Sequence, residues 1–377
     1  MADSVAFVKD TEPFRRELLA HCYRMLGSLH DAEDLVQETY LRASRAYSDF
    51  EGRSSVRTWL YRIATNACLS ALTHRSRRVL PSGLGAPEPD PVGLPVPARA
   101  DVVWLQPVPD GLVSPESADP AVVVAARESL RLALIASLQY LPGRQRAVLI
   151  LRDVLAFPAT EVAVMLDTST TAVKSTLQRA RARLHELALV ADEIAEPVEP
   201  EARALLDQYI AAFEAADATA LGRLLCRDAT LEATPFQTWF AGNKTCVPCL
   251  RLSVLGSPGD WRLRPTTANG QPAAACYTRD PHGVYRAARI EVLTITREGI
   301  SQIVSFGDPS LLPAFGFPSE LEPSVPACDD RFLARRRPLS TPADRVPRLA
   351  GRSGLSSADE GTHLPHCASN GCAGPPP

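Results

Sequence analysis

Apolar positions recur at three- and four-residue spacing through residues 12–80, and again from about Ala121 to about Ile194. That period predicts amphipathic helices, each burying one stripe. The segment "ARALLDQYIAAFEAADATALGRLL" (Ala202–Leu225) continues the helical pattern. From about Ala229 to Ser305 the texture changes to short alternating runs such as "RAARIEVLTIT" and "ISQIVSF", which predict strands. Between the two helical blocks, residues 81–120 hold ten prolines. Proline removes a backbone donor and fixes φ, so this stretch predicts an extended linker rather than helix. Its piece "VVWLQPVPD" (Val102–Asp110) carries a Trp and is expected to dock on a neighbour. Beyond Pro318 the remaining 59 residues contain nine prolines and no periodicity, which predicts a disordered tail over 319–377. The expected organisation is multidomain: helical blocks at 1–80 and 121–194 joined by the 81–120 linker, a mixed helix-and-strand domain at 201–318, and the tail.

In the first block, "LHDAEDLVQETYLRASRAY" places Ala32, Leu35, Val36, Thr39 and Ala43 on one face and Asp31, Asp34 and Glu38 on another. Acids near the start suit the positive end of a helix. By pattern alone the acidic face is an ordinary solvated one. The charge then reverses: no acid occurs between Glu51 and Glu88, whereas Arg53, Arg57, Arg62, Arg75, Arg77 and Arg78 do, with Trp59 and Tyr61 among them. Arginine mixed with aromatics suits a nucleic-acid strand, since guanidinium groups meet phosphates and rings stack on bases. Trp59 and Ile63, four apart, read more simply as core.

The second block ends in "FPATEVAVMLDTSTTAVKSTLQRARARL", the layout of a helix-turn-helix. A first helix over about Ala159–Leu166 turns inward Val162, Ala163 and Leu166, "DTS" makes the turn, and Ser169 or Thr170 caps the second helix. There Val173, Leu177, Ala180, Leu184 and Leu187 form one stripe, leaving Lys174, Ser175, Gln178, Arg179 and Arg181 facing mostly outward. In this motif the second helix enters the major groove, where Gln suits adenine, Lys or Arg suits guanine, and Arg further along suits phosphate. The net charge of −3 gives no global push towards nucleic acid, so such binding must be local. Met1 to Thr11 show no apolar leader, and the apolar runs, such as "AVVVAA" (Ala121–Ala126), fall short of a membrane span. Nine scattered cysteines argue against a disulfide framework, and a reducing cytoplasmic setting is expected.

Together these stretches carry a resemblance. "HDAEDLVQETYLRASRAYSDFEGRSSVRTWLYRIATNACLSAL" resembles region 2 of the sigma-70 family in its extracytoplasmic-function (ECF) branch, and "LQYLPGRQRAVLILRDVLAFPATEVAVMLDTSTTAVKSTLQRARARL" resembles its region 4. The linker piece "WLQPVPD", the third domain and "FGFP" (Phe315–Pro318) are similar to an actinobacterial sigma-G-type subgroup. The resemblance implies two all-α sigma domains: a helical bundle that binds core RNA polymerase and the −10 element, and a helix-turn-helix that binds the −35 element. It implies that Asp34, Gln37 and Glu38 meet the polymerase β′ clamp helices, which reverses the plain reading of the acidic face. It likewise implies that Arg53, Ser54, Ser55 and Asn66 open and read the −10 element, that Lys174, Ser175, Gln178, Arg179 and Arg181 lie at the −35 element, and that the linker threads the polymerase exit channel. The implied partners are core polymerase (β′ clamp helices and β flap) and promoter DNA, with an anti-sigma protein or a small-molecule ligand as regulators. Ser70 and Thr176 depart from many relatives, which have Asp and Arg there, and bear on promoter sequence rather than class. The rival reading is a stand-alone helix-turn-helix regulator with a ligand-sensing domain; the acidic helix speaks against it.

Residues 202–317 resemble a SnoaL-like domain of the NTF2-like superfamily, an α+β cone with an internal pocket. Isomerases and cyclases of that fold use a pocket carboxylate or His. Here Leu231–Gly259 contains only Glu232, and His282 sits in a turn, "RDPHGVY". The domain is therefore expected to be non-catalytic, with no cofactor, and to regulate the sigma regions in cis. "CVPC" (Cys246–Cys249) lacks a second ligand pair at similar spacing, so two unpaired thiols rather than a metal site are expected.

Overall fold

Two serines set the long helices of the first block. In the computed structural model, described over residues 2–73, 76–93, 95–115, 119–188 and 199–321, the block comprises α1 (Ala2–Thr11), α2 (Arg15–Leu26), α3 (Leu29–Ala46) and α4 (Val56–Leu72). Ser28 Oγ accepts from Asp31 N at 3.1 Å to open α3, and Ser55 Oγ accepts from Thr58 N at 3.0 Å to open α4. Each cap satisfies an amide that the helix itself cannot pair. Ala32, Val36, Thr39 and Ala43 of α3 are buried as their spacing predicts, and Trp59 is half-buried against Phe50 and Tyr47.

The second block holds α5 (Asp110–Val113), α6 (Pro120–Glu128), α7 (Leu132–Leu138), α8 (Gly143–Leu149, with a π turn over Ile150–Val154), α9 (Ala159–Met165) and α10 (Thr170–Ala188). Val162, Ala163 and Leu166 are buried, as are Val173, Leu177 and Ala180 of the second stripe. The Leu187 side chain lies outside the described residues. Arg146 is buried as well; its guanidinium donates to Met25 O in the first block and to Gln139 and Leu141 in its own. Those acceptors offset the loss of water around a buried cation.

The third domain packs α11 (Glu199–Glu214), α12 (Ala218–Leu224) and α13 (Asn243–Cys249) on a sheet of β1 (Leu225–Thr234), β2 (Trp239–Ala241), β3 (Trp261–Ala268), β4 (Gln271–Arg279), β5 (Tyr285–Thr296), β6 (Gly299–Phe306) and β7 (Glu320–Leu321). The order is β2-β1-β6-β5-β4-β3, with β7 added on β5; β1 and β6 run parallel and the other pairs antiparallel. Along β4 and β5 the side chains divide by alternation. Ala274, Cys276 and Leu293 pack with the helices, while Ala273, Ala275, Tyr277, Ile290 and Val292 join the apolar cluster that runs on into both helical blocks. Phe315 and Phe317 of "FGFP" pack on that second face, and Tyr277 Oη donates to Pro318 O at 2.9 Å.

The proline-rich linker differs from expectation: it is not a free extended spacer. Prolines leave gaps in the donor supply, but the remaining amides and carbonyls pair with the third domain. Glu88 N donates to Trp239 O at 2.8 Å, Gln237 N to Val96 O at 2.9 Å and Ala98 N to Pro235 O at 3.0 Å. Trp239 Nε1 reaches Gly85 O at 2.9 Å, and Ser82 N donates to the buried Glu232 carboxylate at 2.8 Å. "VVWLQPVPD" docks through its backbone: Leu105 N donates to Val79 O and Gln106 N to Gly27 O, both at 3.0 Å. Met1–Ser324 thus form one compact unit. The tail expected over 319–377 is ordered at its start, where Ser319 O accepts from Ala287 N and Glu320–Leu321 form β7 on β5; from residue 322 onward it, like the acidic connector at 189–198, lies outside the described residues. Among the described residues no helix is long and apolar enough to cross a membrane.

His21 gives a test of the first block's packing. It is fully buried beside Thr65 and Tyr61, and burial, with Arg24 and Arg57 nearby, lowers its pKa to about 3. The unfolded chain then takes up a proton near pH 6.5 that the folded chain refuses. Stability from this residue is complete above that pH and is lost as the pH falls towards 3. The stability difference between the natural chain and His21→Gln should shrink by about 1.4 kcal/mol per pH unit below roughly pH 6, measured by denaturant unfolding.

Candidate functional site

The basic face of α10 is built by its cap and its stripe. Ser169 Oγ accepts from Ala172 N at 3.1 Å, starting the helix where the turn ends. With Val173, Leu177 and Ala180 inward, Lys174, Ser175, Gln178, Arg179 and Arg181 are all exposed. They are not equally uncommitted. Arg181 is held bidentately by Asp153, at 2.8 and 2.7 Å, and Arg179 touches Thr176 Oγ1 at 3.2 Å. Ser175 Oγ donates back to Ala172 O at 3.1 Å.

The first block's candidate residues divide differently. Arg53 and Ser54 are exposed in the loop before α4, with Arg53 paired to Glu51. Ser55 is exposed but serves as the α4 cap, so its hydroxyl already has a structural task. Asn66 lies on α4 and donates to Met165 O of the second block at 3.4 Å. Asn66 itself remains exposed. On α3, Asp34 and Gln37 are exposed, and Glu38 is paired with Arg42 at 2.7 Å. Asp31 instead turns back to Arg78.

The contact at Asn66 is part of a wider seam between α4 and α9. Thr58 Oγ1 donates to Glu161 Oε2 at 2.8 Å, Tyr61 meets Phe157 edge-on at 5.1 Å, and the Arg57 guanidinium lies 4.5 Å from the Phe157 ring while chelating Glu17. The helix that carries Asn66 is thus folded against the first helix of the helix-turn-helix, while the basic face of α10 stays exposed.

A hairpin tip of the third domain locks this arrangement. Asn269 and Gly270, between β3 and β4, both adopt positive φ (57° and 69°), the conformation that Asn-Gly favours in a two-residue turn. Asn269 is fully buried. Its Nδ2 donates to Tyr23 Oη of α2 at 2.8 Å and to Leu130 O, ahead of α7, at 2.7 Å. Its Oδ1 accepts from Val108 N of the linker at 3.0 Å, and its own N–H returns to Val108 O at 3.0 Å. Gly270 N donates to Asp110, and Gln271 Oε1 accepts from Leu132 N. One tip therefore bonds to the first block, the linker and the second block at once. The sequence signal of this tip is "NG" between alternating runs in "RPTTANGQPAAAC".

The inside of the third domain carries a polar cluster drawn from residues outside 231–259. Tyr209 Oη donates to Glu291 Oε2 at 2.9 Å, Arg289 pairs with the same carboxylate, and the Arg289 guanidinium stacks over Trp261 at 4.2 Å. Burial pushes the Tyr209 hydroxyl up. The groups answer one another within the packed interior, where an acid–base site needs room for a substrate. Glu232, the acid read from sequence, is spent on Ser82 N and on Gln302, and burial raises its pKa. His282 is exposed in its turn. Cys246 and Cys249 are buried on α13, with burial pushing them to about 12 and about 11; among the described residues no His, Cys, Asp and Glu group gathers as metal ligands.

Comparison with known proteins fits this geometry. Residues 11–78 match the family model Sigma-70 region 2, and residues 131–184 match Sigma-70, region 4. The chain is 52% identical over 317 residues to the ECF RNA polymerase sigma factor SigG of Mycobacterium tuberculosis, covering 84% of this chain and 85% of that protein. It is 29% identical over 225 residues to the ECF sigma factor SigJ of the same organism, covering 59% and 63%. The crystal structure of SigJ superposes with a TM-score of 0.54 at 23% identity, covering 81% of this chain and 98% of that one, which shows a shared fold through the third domain.

The Arg181–Asp153 pair yields a direct test. Asp153→Ala releases the guanidinium towards phosphate. The dependence of log K on log salt for duplex binding should steepen by about 0.9, one counterion's worth, in a fluorescence titration across salt. An unchanged slope means Arg181 does not reach the backbone.

Proposed function

Because this chain belongs to the ECF branch of the sigma-70 family of RNA polymerase sigma factors, we propose that its third domain restrains it in cis, clamping the two DNA-reading domains together. As a sigma factor it binds core RNA polymerase and directs transcription initiation at its promoters; its work is recognition, not catalysis. In this reading Lys174, Ser175, Gln178, Arg179 and Arg181 face the −35 element, Arg53, Ser54, Ser55 and Asn66 the −10 element, and Asp34, Gln37 and Glu38 the polymerase. The observation that carries the restraint is the Asn269 tip, bonded to Tyr23, Val108 and Leu130 together.

The seam lies between the two domains: Asn66 Nδ2 donates to Met165 O at 3.4 Å and α4 packs on α9. In this reading the domains part along that seam to engage the two promoter elements. The hairpin tip and the docked linker oppose opening. Tyr23 and Leu130 lose their shared partner when the blocks part, at about 1 kcal/mol net for each bond exchanged for water.

Asn269→Ala removes three side-chain bonds and places a Cβ residue at positive φ without the Asn side chain that suits it. Transcription by purified core polymerase with the full-length variant should rise at least about fivefold over the natural chain, in line with roughly 1 kcal/mol or more taken from the closed state. Equal rates would reject the clamp. Lys174→Ala and Gln178→Ala should each weaken −35 discrimination by about 1–3 kcal/mol while leaving core binding intact, and Asp34→Ala with Glu38→Ala should do the reverse; promoter footprinting and core-binding titrations separate the two.

A further inference from the structure

Where the tip enters the junction, a cavity of about 400 Å³ opens beside it. This is within the size range of small-molecule sites, roughly 300–1,000 Å³. Three separate parts of the chain line it: Asp110 from the linker, Arg127 from α6, and Arg203, Leu206, Pro272 and Ile295 from the third domain. No side chain of the Tyr209–Arg289–Glu291 cluster reaches it, so it is distinct from the filled interior of the third domain.

Its charges are unequal. Arg127 and Arg203 bring two guanidinium groups to the rim. Asp110 is the acid among the lining residues; it accepts from Gly270 N at 2.7 Å and from the Thr267 hydroxyl and lies in the field of Arg127, so one carboxylate, its pKa raised by burial, stands against two guanidinium groups. Leu206, Pro272 and Ile295 give the floor apolar surface. We propose that this junction cavity binds a small organic anion, a carboxylate on an apolar body, with the carboxylate between Arg127 and Arg203 and the body against Leu206, Pro272 and Ile295. Such a ligand touches the second block and the third domain together. Separation of the third domain from the second block dismantles its site, so it has affinity for the docked arrangement and holds the third domain there. The proposal rests on the clamp reading above for its effect on transcription, but not for the binding itself.

The test uses the full chain and three matched probes: 2-naphthoate, neutral 2-naphthol and cationic 2-naphthylmethylammonium, titrated by ligand-observed NMR. A body of this size should bind at about 1 mM or tighter. The naphthoate should bind at least about tenfold more tightly than the other two, the gain expected of charge-assisted contacts. Arg203→Glu, at an exposed position, should remove that preference, and Ala202→Trp, which fills the cavity, should abolish binding of all three. Equal affinities, or no binding at about 10 mM, overturn the site. Asn269→Ala separates the two ideas. A rise in transcription without naphthoate binding to the natural chain removes the ligand site and keeps the clamp. Naphthoate binding with no effect of Asn269→Ala on transcription keeps the site and removes the clamp.

Discussion

A buried carboxamide must have its donors and acceptor answered by protein, and in this fold one such group is answered by three otherwise separate segments. Asn269 gives both amide hydrogens to the helical blocks and its carbonyl to the linker. The order then extends outward. Tyr23, which accepts from Asn269, donates to Gln106 O, and the Gln106 side chain accepts from Ser28 Oγ, the residue that caps α3. A continuous line of hydrogen bonds thus runs from the third domain's hairpin tip to the start of the acidic helix. Gly270 completes the fit, because a Cβ there would stand 2.9 Å from Arg127 O.

The interior of the third domain is occupied by its own charges. Its interior carboxylate, Glu291, is matched by Arg289 and Tyr209, with Trp261 stacked on the guanidinium. The pair is buried, and Arg289 Nε finds no hydrogen-bond partner there, so these groups offset one another by charge more than by a complete set of hydrogen bonds. The sheet presents one alternate face to the helices of its own domain and the other to the cluster shared with the sigma blocks.

Much of this was legible in the sequence, for identifiable reasons. Periods of three and four fixed the helices, and the stripe Val173, Leu177, Ala180 left the basic face of α10 outward because a helix has only one buried side. The two sigma regions were legible because long motifs carry them. What was not legible depends on contacts between residues far apart. Proline density marked residues 81–120 as non-helical but carried no information on what their remaining amides would pair with. Asn66 read as a DNA-facing residue, and nothing local announces that Met165 O occupies it in the closed fold. Glu291 stands in "RIEVLTIT" as the polar member of an alternating strand, which ordinarily points to water. It points inward because Tyr209 and Arg289 are there to receive it.

The separation of Tyr23 from Asn269 by 246 positions has a bearing on the life of each molecule. A ribosome makes about 5–20 residues per second, so the stretch from the end of α10 at Ala188 to Asn269 takes on the order of ten seconds. During that interval both DNA-reading domains have been synthesised and the tip that binds them together has not. If the third domain restrains the sigma regions as proposed, every chain begins unrestrained and acquires its restraint from its own later sequence, at a fixed one-to-one ratio that dilution cannot change. A dissociable inhibitor must be produced in step with its target; here the timing and the dose are both written into the order of the domains.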